Sequence, residues 1–263
     1  MIVSTYHTHT TFSDGKNTAR EMVESAIACG MKEIGFSDHA PMIFETSWAM
    51  PQGRVNSYKK TILELKEEYK DRIKIYLGIE QDYYSTPAEG YDFIIGSVHF
   101  VSKNGVYLPV DLSAEETMHF VNEHYNGDGY AYAEDYFELI KDIYKKTKCH
   151  IIGHFDIVTK FNERLPIVDI NNERYVKAYK SALDELLKTP AIFEINTGAI
   201  SRGYRKGPYP DDNMLDIIGK SGKPFAICSD THNVDTVAFD LEKERERLDL
   251  KGYSYIKSLE EII

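Results

Sequence analysis

The sequence predicts an α/β barrel. Short apolar runs alternate with helix-period segments through all 263 residues, the signature of βα units. Helices placed between strands imply right-handed crossovers and mostly parallel strands. With seven or eight strands, closure into a barrel is favoured over an open sheet, and a chain of about 250 residues is an ordinary length for one such barrel. No Ser/Gly-rich or Pro-rich linker, low-complexity tract or fixed-period repeat interrupts the alternation, so residues 1–263 read as one domain.

The first strand is expected over Ile2 to Tyr6. A helix follows in which Ala19, Met22, Val23, Ala26 and Ile27 recur at three- and four-residue steps, with Asn17 or Thr18 as N-cap and Gly30 as its stop. Strands over Glu33 to Phe36 and Ile73 to Ile79 flank a second helix marked by Tyr58, Ile62, Leu65 and Tyr69. A strand over Phe93 to Ser97 precedes a helix carrying Tyr136, Ile140 and Tyr144. Strands over His150 to Gly153 and Ile192 to Ile195 flank a helix with Tyr179, Leu183 and Leu186. Phe225 to Cys228 and Tyr253 to Ile256 complete the strand candidates. Tyrosine, with 19 copies, carries much of the packing.

Composition narrows the function classes. At 42% hydrophobic residues the chain can bury a sizeable core, yet nowhere do about 18 apolar residues run together, and the N-terminus lacks a signal-peptide pattern. The expected location is cytoplasmic, with no membrane partner. Cys29, Cys149 and Cys228 are odd in number, widely spaced and set in apolar segments, so they are expected to be reduced core residues. A formal charge of −11 disfavours nucleic acid as a partner. No G-x-G-x-x-G or P-loop follows any strand, which removes the commonest nucleotide-binding readings.

Barrel chemistry sits at the carboxyl ends of strands. His7 and His9 follow the first strand, Asp38 and His39 the second, Glu80 the third and His99 the fourth. His154 and Asp156 follow the fifth, Glu194 and Asn196 the sixth, Asp230 and His232 the seventh. In an extended strand residues i and i+2 point the same way, so His7 and His9 can reach one cation together; Asp230 and His232 repeat the spacing. Any one of these histidines alone reads as an ordinary core or surface residue. Six of the nine histidines lie at strand ends, however, and that joint pattern favours a metal site over nine unrelated packing roles.

With those residues in place the chain resembles the PHP (polymerase and histidinol phosphatase) superfamily, and within it the histidinol-phosphate phosphatases. The matching segments are HTHTTFSDG from His7, SDHAP from Ser37, GIEQDY from Gly78, GSVHF from Gly96, GHFDIV from Gly153, EINTGA from Glu194 and SDTH from Ser229. The resemblance implies a single distorted (β/α)7 barrel with three divalent ions, zinc, manganese or iron. His7, His9, Glu80 and Asp230 would hold the first. Glu80, His99 and His154 would hold the second, making Glu80 a bridge. Asp14, His39 and His232 would hold the third, although some members of the family carry histidine where Asp14 stands. Glu80, Asp230 and His232 are the expected catalytic residues.

Imidazoles and carboxylates suit such ions, and a bridging carboxylate sets two of them about 3.5–4 Å apart, a spacing suited to in-line hydrolysis of a phosphate ester. Arg202 is the leading phosphate-binding side chain, because a guanidinium matches phosphate bidentately; Lys160 is the second candidate, and Arg164 stands as an alternative to it. Asp38, Asp156 and Asn196 are expected to orient ligand imidazoles, and Trp48 either to cover the pocket or to serve as ordinary packing. The implied reaction is hydrolysis of L-histidinol phosphate, a small phosphorylated substrate. The alternatives are a PHP phosphoesterase acting on nucleic acid or phosphotyrosine protein, and a catalytically inert binding module.

Overall fold

The computed structural model describes residues 4–44 and 46–263, so Ile2 and Val3 of the first strand candidate lie outside the described residues. The chain begins with β1 (Ser4–Thr5), α1 (Ala19–Ala28), β2 (Glu33–Phe36), α2 (Val55–Glu68), β3 (Lys74–Asp82) and β4 (Phe93–Ser97). A hairpin, β5 (Phe100–Lys103) and β6 (Val106–Pro109), comes next, then α3 (Ala114–Tyr125) and α4 (Gly129–Thr147). The remainder is β7 (Ile151–Ile152), α5 (Glu173–Leu186), β8 (Ile192–Asn196), α6 (Gly198–Ser201), α7 (Asp212–Lys220), β9 (Phe225–Cys228) and α8 (Leu241–Lys251).

Seven strands form one parallel sheet in the order β1-β2-β3-β4-β7-β8-β9. Its two edges meet through a parallel bridge between Thr8 and Thr231, with the His9 amide donating to the Thr231 carbonyl at 2.9 Å. The result is a nearly closed barrel. Tyr253 to Ile256 is not an eighth strand: it makes a single parallel bridge, Phe225 to Tyr255. The free edge of β9 is divided, with residues just beyond its carboxyl end engaged with the β1 side and its start with this tail. The tail then crosses the amino-terminal mouth of the barrel, where Ser258 Oγ and the Leu259 amide donate to the Glu33 carboxylate.

Local chemistry explains the helices. Thr18 caps α1 and closes a reciprocal capping box with Glu21, which satisfies amides at the exposed helix start. Gly30, at φ 78°, supplies the left-handed residue that ends it. Ala19, Met22, Val23 and Ala26 are the buried stripe. Cys29 lies off that stripe and is exposed, against the expectation of a core thiol, whereas Cys149 and Cys228 are buried; all three are unpaired. Among the described residues no helix is long and apolar enough to cross a membrane.

The hairpin was not anticipated, although its signal is present. Asn104 and Gly105 join the two strands, both with positive φ (51° and 82°), as a two-residue type I′ turn demands.

Two cores result. The larger lies between sheet and helices, and the smaller fills the barrel with Tyr6, Tyr76, Phe93, Ile95, Ile151 and Ile192, plugged by Ile256 and Leu259 of the tail. Along β3 the period-two face runs Tyr76, Gly78, Glu80, and along β8 Ile192, Glu194, Asn196, so each strand passes from core to polar site within its own length. Gly35 and Gly78 make room for the fully buried Phe93 ring: a Cβ on Gly78 would fall 2.2 Å from it. Gly78→Ala should therefore cost about 1–3 kcal/mol from overpacking, whereas Gly53→Ala, with nothing within 4 Å of its Cβ position, should stay within about 0.5 kcal/mol of the parent. Urea unfolding of the two variants measures this, and equal midpoints would show that Phe93 is not locked in place.

Candidate metal centre

The six strand-end histidines converge at the carboxyl-terminal mouth of the barrel around Glu80. Its carboxylate is 1% exposed. Oε1 lies 3.0 Å from His154 Nε2 and 3.5 Å from His99 Nε2. Oε2 lies 2.7 Å from His39 Nδ1, 3.3 Å from His7 Nε2 and 3.7 Å from His9 Nε2. Each oxygen thus faces its own set of imidazoles. Asp230 Oδ1 closes the set that faces Oε2, 3.2 Å from His9 Nε2 and 3.7 Å from His7 Nε2. Asp14 sits at the outer edge, with Oδ2 3.3 Å from His232 Nε2 and Oδ1 3.7 Å from His39 Nε2.

Four overlapping groups have donor atoms within 4.8 Å of one another: His9, Asp14, His39 and His232; His7, His9 and Asp230; His7, Glu80 and His154; and His39, Glu80 and His99. All nine residues named as ligands on sequence grounds are brought together. His7, His9 and His39 each join two groups, an overlap that the sequence assignment did not contain. His119 and His124 lie on α3 and His150 accepts from the Ile94 amide, all outside the cluster.

Burial of so many polar atoms needs compensation. His7 Nε2, both ring nitrogens of His9, and Glu80 Oε2 are buried without a hydrogen-bond partner, a costly arrangement for unpaired polar groups and the one expected of atoms that ligate a cation. Electrostatics agree with the donor chemistry. Burial, with His232 and His39 beside it, pushes His9 down to about 3, keeping its imidazole neutral. Burial would raise Glu80, yet His7, His39 and His99 hold it well below the usual carboxylate range. Burial opposes protonation of His99, but Glu80 and Asp82 outweigh it and lift the group to about 9. The carboxylates are therefore ionised, and the set of neutral and displaceable-proton imidazoles fits divalent ions.

The groups that orient the imidazoles differ from those expected. His7 Nδ1 is hydrogen-bonded to Glu194 Oε1 at 2.7 Å, and Glu194 Oε2 accepts from the His154 amide and from Asn196 Nδ2. Asp82 Oδ2 accepts the His99 amide at 2.6 Å and lies 3.2 Å from His99 Nδ1. Asn196 thus acts through Glu194. Asp38 touches no imidazole: it accepts from the amides and hydroxyls of Thr10 and Ser13, fixing the loop between His9 and Asp14. Asp156 instead pairs with the buried Arg205 at 3.1 Å. Sequence position put these acids near strand ends, but their partners depend on cross-strand register.

A cavity of about 260 Å³ opens onto the cluster, lined by His39, His99, His154 and His232 together with Trp48, Asp111, Lys160 and Arg202. Trp48 meets His39 edge-on at 4.5 Å between ring centroids and stacks on Phe100, so it does border the pocket. Lys160 is there too, with Nζ 3.4 Å from Asp111 Oδ2. Arg164 is not: it is exposed and paired with Glu115, which removes it as the alternative to Lys160.

Arg202 has a second task. Its Nη1 donates to the Asp230 carbonyl at 3.0 Å and its Nη2 to Asp230 Oδ2 at 2.9 Å. Asp230 has φ 46°, a left-handed conformation that costs about 1 kcal/mol or more outside glycine, and this two-point grip holds it there. Gly198 is required alongside, since a Cβ would fall 2.7 Å from Asp230 Oδ2. Arg202→Ala, unfolded in urea with chelator present so that no ion re-pairs Asp230, should lose about 1.5–3 kcal/mol, discounted toward the lower figure because Arg202 is partly exposed. Unchanged stability would show that Arg202 does not position Asp230.

Residues 5–198 match the PHP domain. A histidinol-phosphatase of Lactococcus lactis subsp. lactis is 35% identical over 268 residues, covering 94% of this chain and 91% of that protein. By structure, the chain resembles a protein assigned as a histidinol phosphatase from Listeria monocytogenes, with a TM-score of 0.78 and 22% identity over 91% of this chain and 99% of that one. It also resembles a Lactococcus lactis histidinol phosphate phosphatase complexed with zinc, L-histidinol and phosphate, with a TM-score of 0.70 and 20% identity over 96% and 95% of the two chains. The match over residues 5–198 and the 35% identical relative agree with the parallel barrel: the chain belongs to the PHP domain family.

Proposed function

We propose that this chain is a divalent-metal-dependent phosphatase that hydrolyses L-histidinol phosphate to L-histidinol and phosphate. The observation that carries the reading is Glu80, one buried carboxylate whose two oxygens face separate imidazole sets. His7, His9, Glu80 and Asp230 would hold one ion, Glu80, His99 and His154 a second, and Asp14, His39 and His232 a third. When bound, such ions supply Lewis acidity, drawing charge off phosphoryl oxygens and making water a competent nucleophile near neutral pH. The protein's own part is positional. Glu194 and Asp82 aim His7 and His99, Arg202 sets Asp230 at the pocket wall, and Lys160 adds a second cation for the phosphate. Relatives named as histidinol-phosphatases support the substrate, as does a structural relative that holds zinc, L-histidinol and phosphate.

The same reading takes residues 1–263 as one catalytic domain, consistent with the tail anchoring on Glu33 of β2. It places the enzyme in the cytoplasm, where unpaired cysteines such as these persist.

Glu80→Gln tests the site: it should reduce turnover at least about a thousandfold and lower bound metal, since one change disturbs two ions. Retention of both metal and activity would move the centre elsewhere. The substrate is tested by kcat/KM side by side. L-histidinol phosphate should exceed p-nitrophenyl phosphate by roughly a hundredfold or more, because its remote groups can orient the phosphoryl group. A single-stranded oligonucleotide should be cleaved least by this acidic chain. Equal values for the two small esters would remove the substrate assignment and leave a phosphatase.

A further inference from the structure

Of the carboxylates that line the cavity, Asp14 and Asp230 belong to the histidine cluster and Asp111 does not. Asp111 follows β6, and its position is fixed by the residue before it and by its contacts with Lys160. The Val110 amide donates to the His99 carbonyl at 2.9 Å, and Val110 itself is fully buried. The Asp111 carbonyl and carboxylate both engage Lys160 Nζ, at 3.1 and 3.4 Å. Burial alone would raise its carboxyl, but Lys160 and His99 outweigh that and hold it below the usual range, so it is an anion on the pocket wall.

Lys160 is 8% exposed, and its ammonium is shared between two demands. The phosphate of a bound ester attracts it, and Asp111 already holds it. If Lys160 turns to the phosphate, Asp111 is left as a half-buried carboxylate without its counter-ion, a costly state. A substrate that brings its own cation removes that cost.

We infer that Asp111 is a specificity residue that receives the cationic end of the substrate, so that the Asp111–Lys160 pair exchanges partners on binding: Lys160 meets the phosphate and Asp111 the ammonium. The site thereby selects phosphate monoesters that carry an ammonium group. This deepens the function proposed above and rests on its phosphate-monoester hydrolysis, not on the identity of the ester.

The test therefore uses two esters that differ only in charge, O-phosphoethanolamine and n-propyl phosphate, where a methyl replaces the ammonium. The intact metal-loaded enzyme should have a kcat/KM ratio favouring phosphoethanolamine by roughly tenfold or more, about what one charge-assisted hydrogen bond contributes. Asp111→Asn should bring that ratio close to one, with the effect concentrated in KM, and Asp111→Glu should restore much of it. Lys160→Met removes the internal competitor for Asp111, so it should slow both esters and widen the ratio; this holds the inference to account should the Asp111 variants fold poorly. A ratio near one in the parent enzyme overturns the inference. So does a ratio that Asp111→Asn leaves unchanged while both rates fall together, because Asp111 would then be only a brace for the loop. A parent enzyme that prefers phosphoethanolamine to propyl phosphate yet leaves L-histidinol phosphate unhydrolysed would support the role of Asp111 and sink the proposed substrate.

Discussion

Everything at the carboxyl-terminal mouth of this barrel is arranged around one buried carboxylate. Glu80 lies within 3.7 Å of five imidazoles and is almost fully shielded from water. A lone carboxylate in that position would take up a proton. It is kept ionised by the cluster, and the cluster in turn needs positive charge shared among donors that have no hydrogen-bond partner. That mutual requirement links Glu80 of β3 to ligands carried on or just beyond β1, β2, β4, β7 and β9.

The barrel meets the requirement by dividing its interior along the strand axis. Below lie aromatic and branched side chains sealed by the carboxyl-terminal tail; above lie the acids and histidines. Glycines at Gly35 and Gly78 admit the fully buried Phe93 ring into the barrel interior. Behind the ligands stand Glu194 and Asp82, whose hydrogen bonds set ring orientation, and Arg202, which fixes the strained backbone of Asp230. Such supporting contacts decide whether a ligand set of the correct composition also has the correct geometry.

Much of this was legible in the sequence because strand chemistry has a short period. His7-Thr-His9 and Asp230-Thr-His232 announce same-side pairs, and the parallel alternation of strands and helices places every pair at one end of the barrel. The contacts between strands were not legible. Glu194 meets His7 across 187 positions of sequence, and nothing in EINTGA shows that Glu194, rather than Asp38 or Asp156, would face an imidazole. Asp111 escaped notice because it lies beyond a hairpin that interrupts the βα alternation, even though Asn104-Gly105 marks that turn. Sequence assigns the Arg202 fork to phosphate alone, whereas it is also committed to Asp230, an attachment that becomes visible only when α6 folds back toward the loop after β9.

The account stands on Glu80 serving two ions at once, and anomalous diffraction from crystals of the metal-loaded protein measures that directly. The account predicts anomalous peaks on either side of the Glu80 carboxylate, one facing His99 and His154 and the other facing His7, His9 and Asp230, with a third beside Asp14 and His232. A single ion bound without Glu80, or no ion within bonding distance of either of its oxygens, would contradict it.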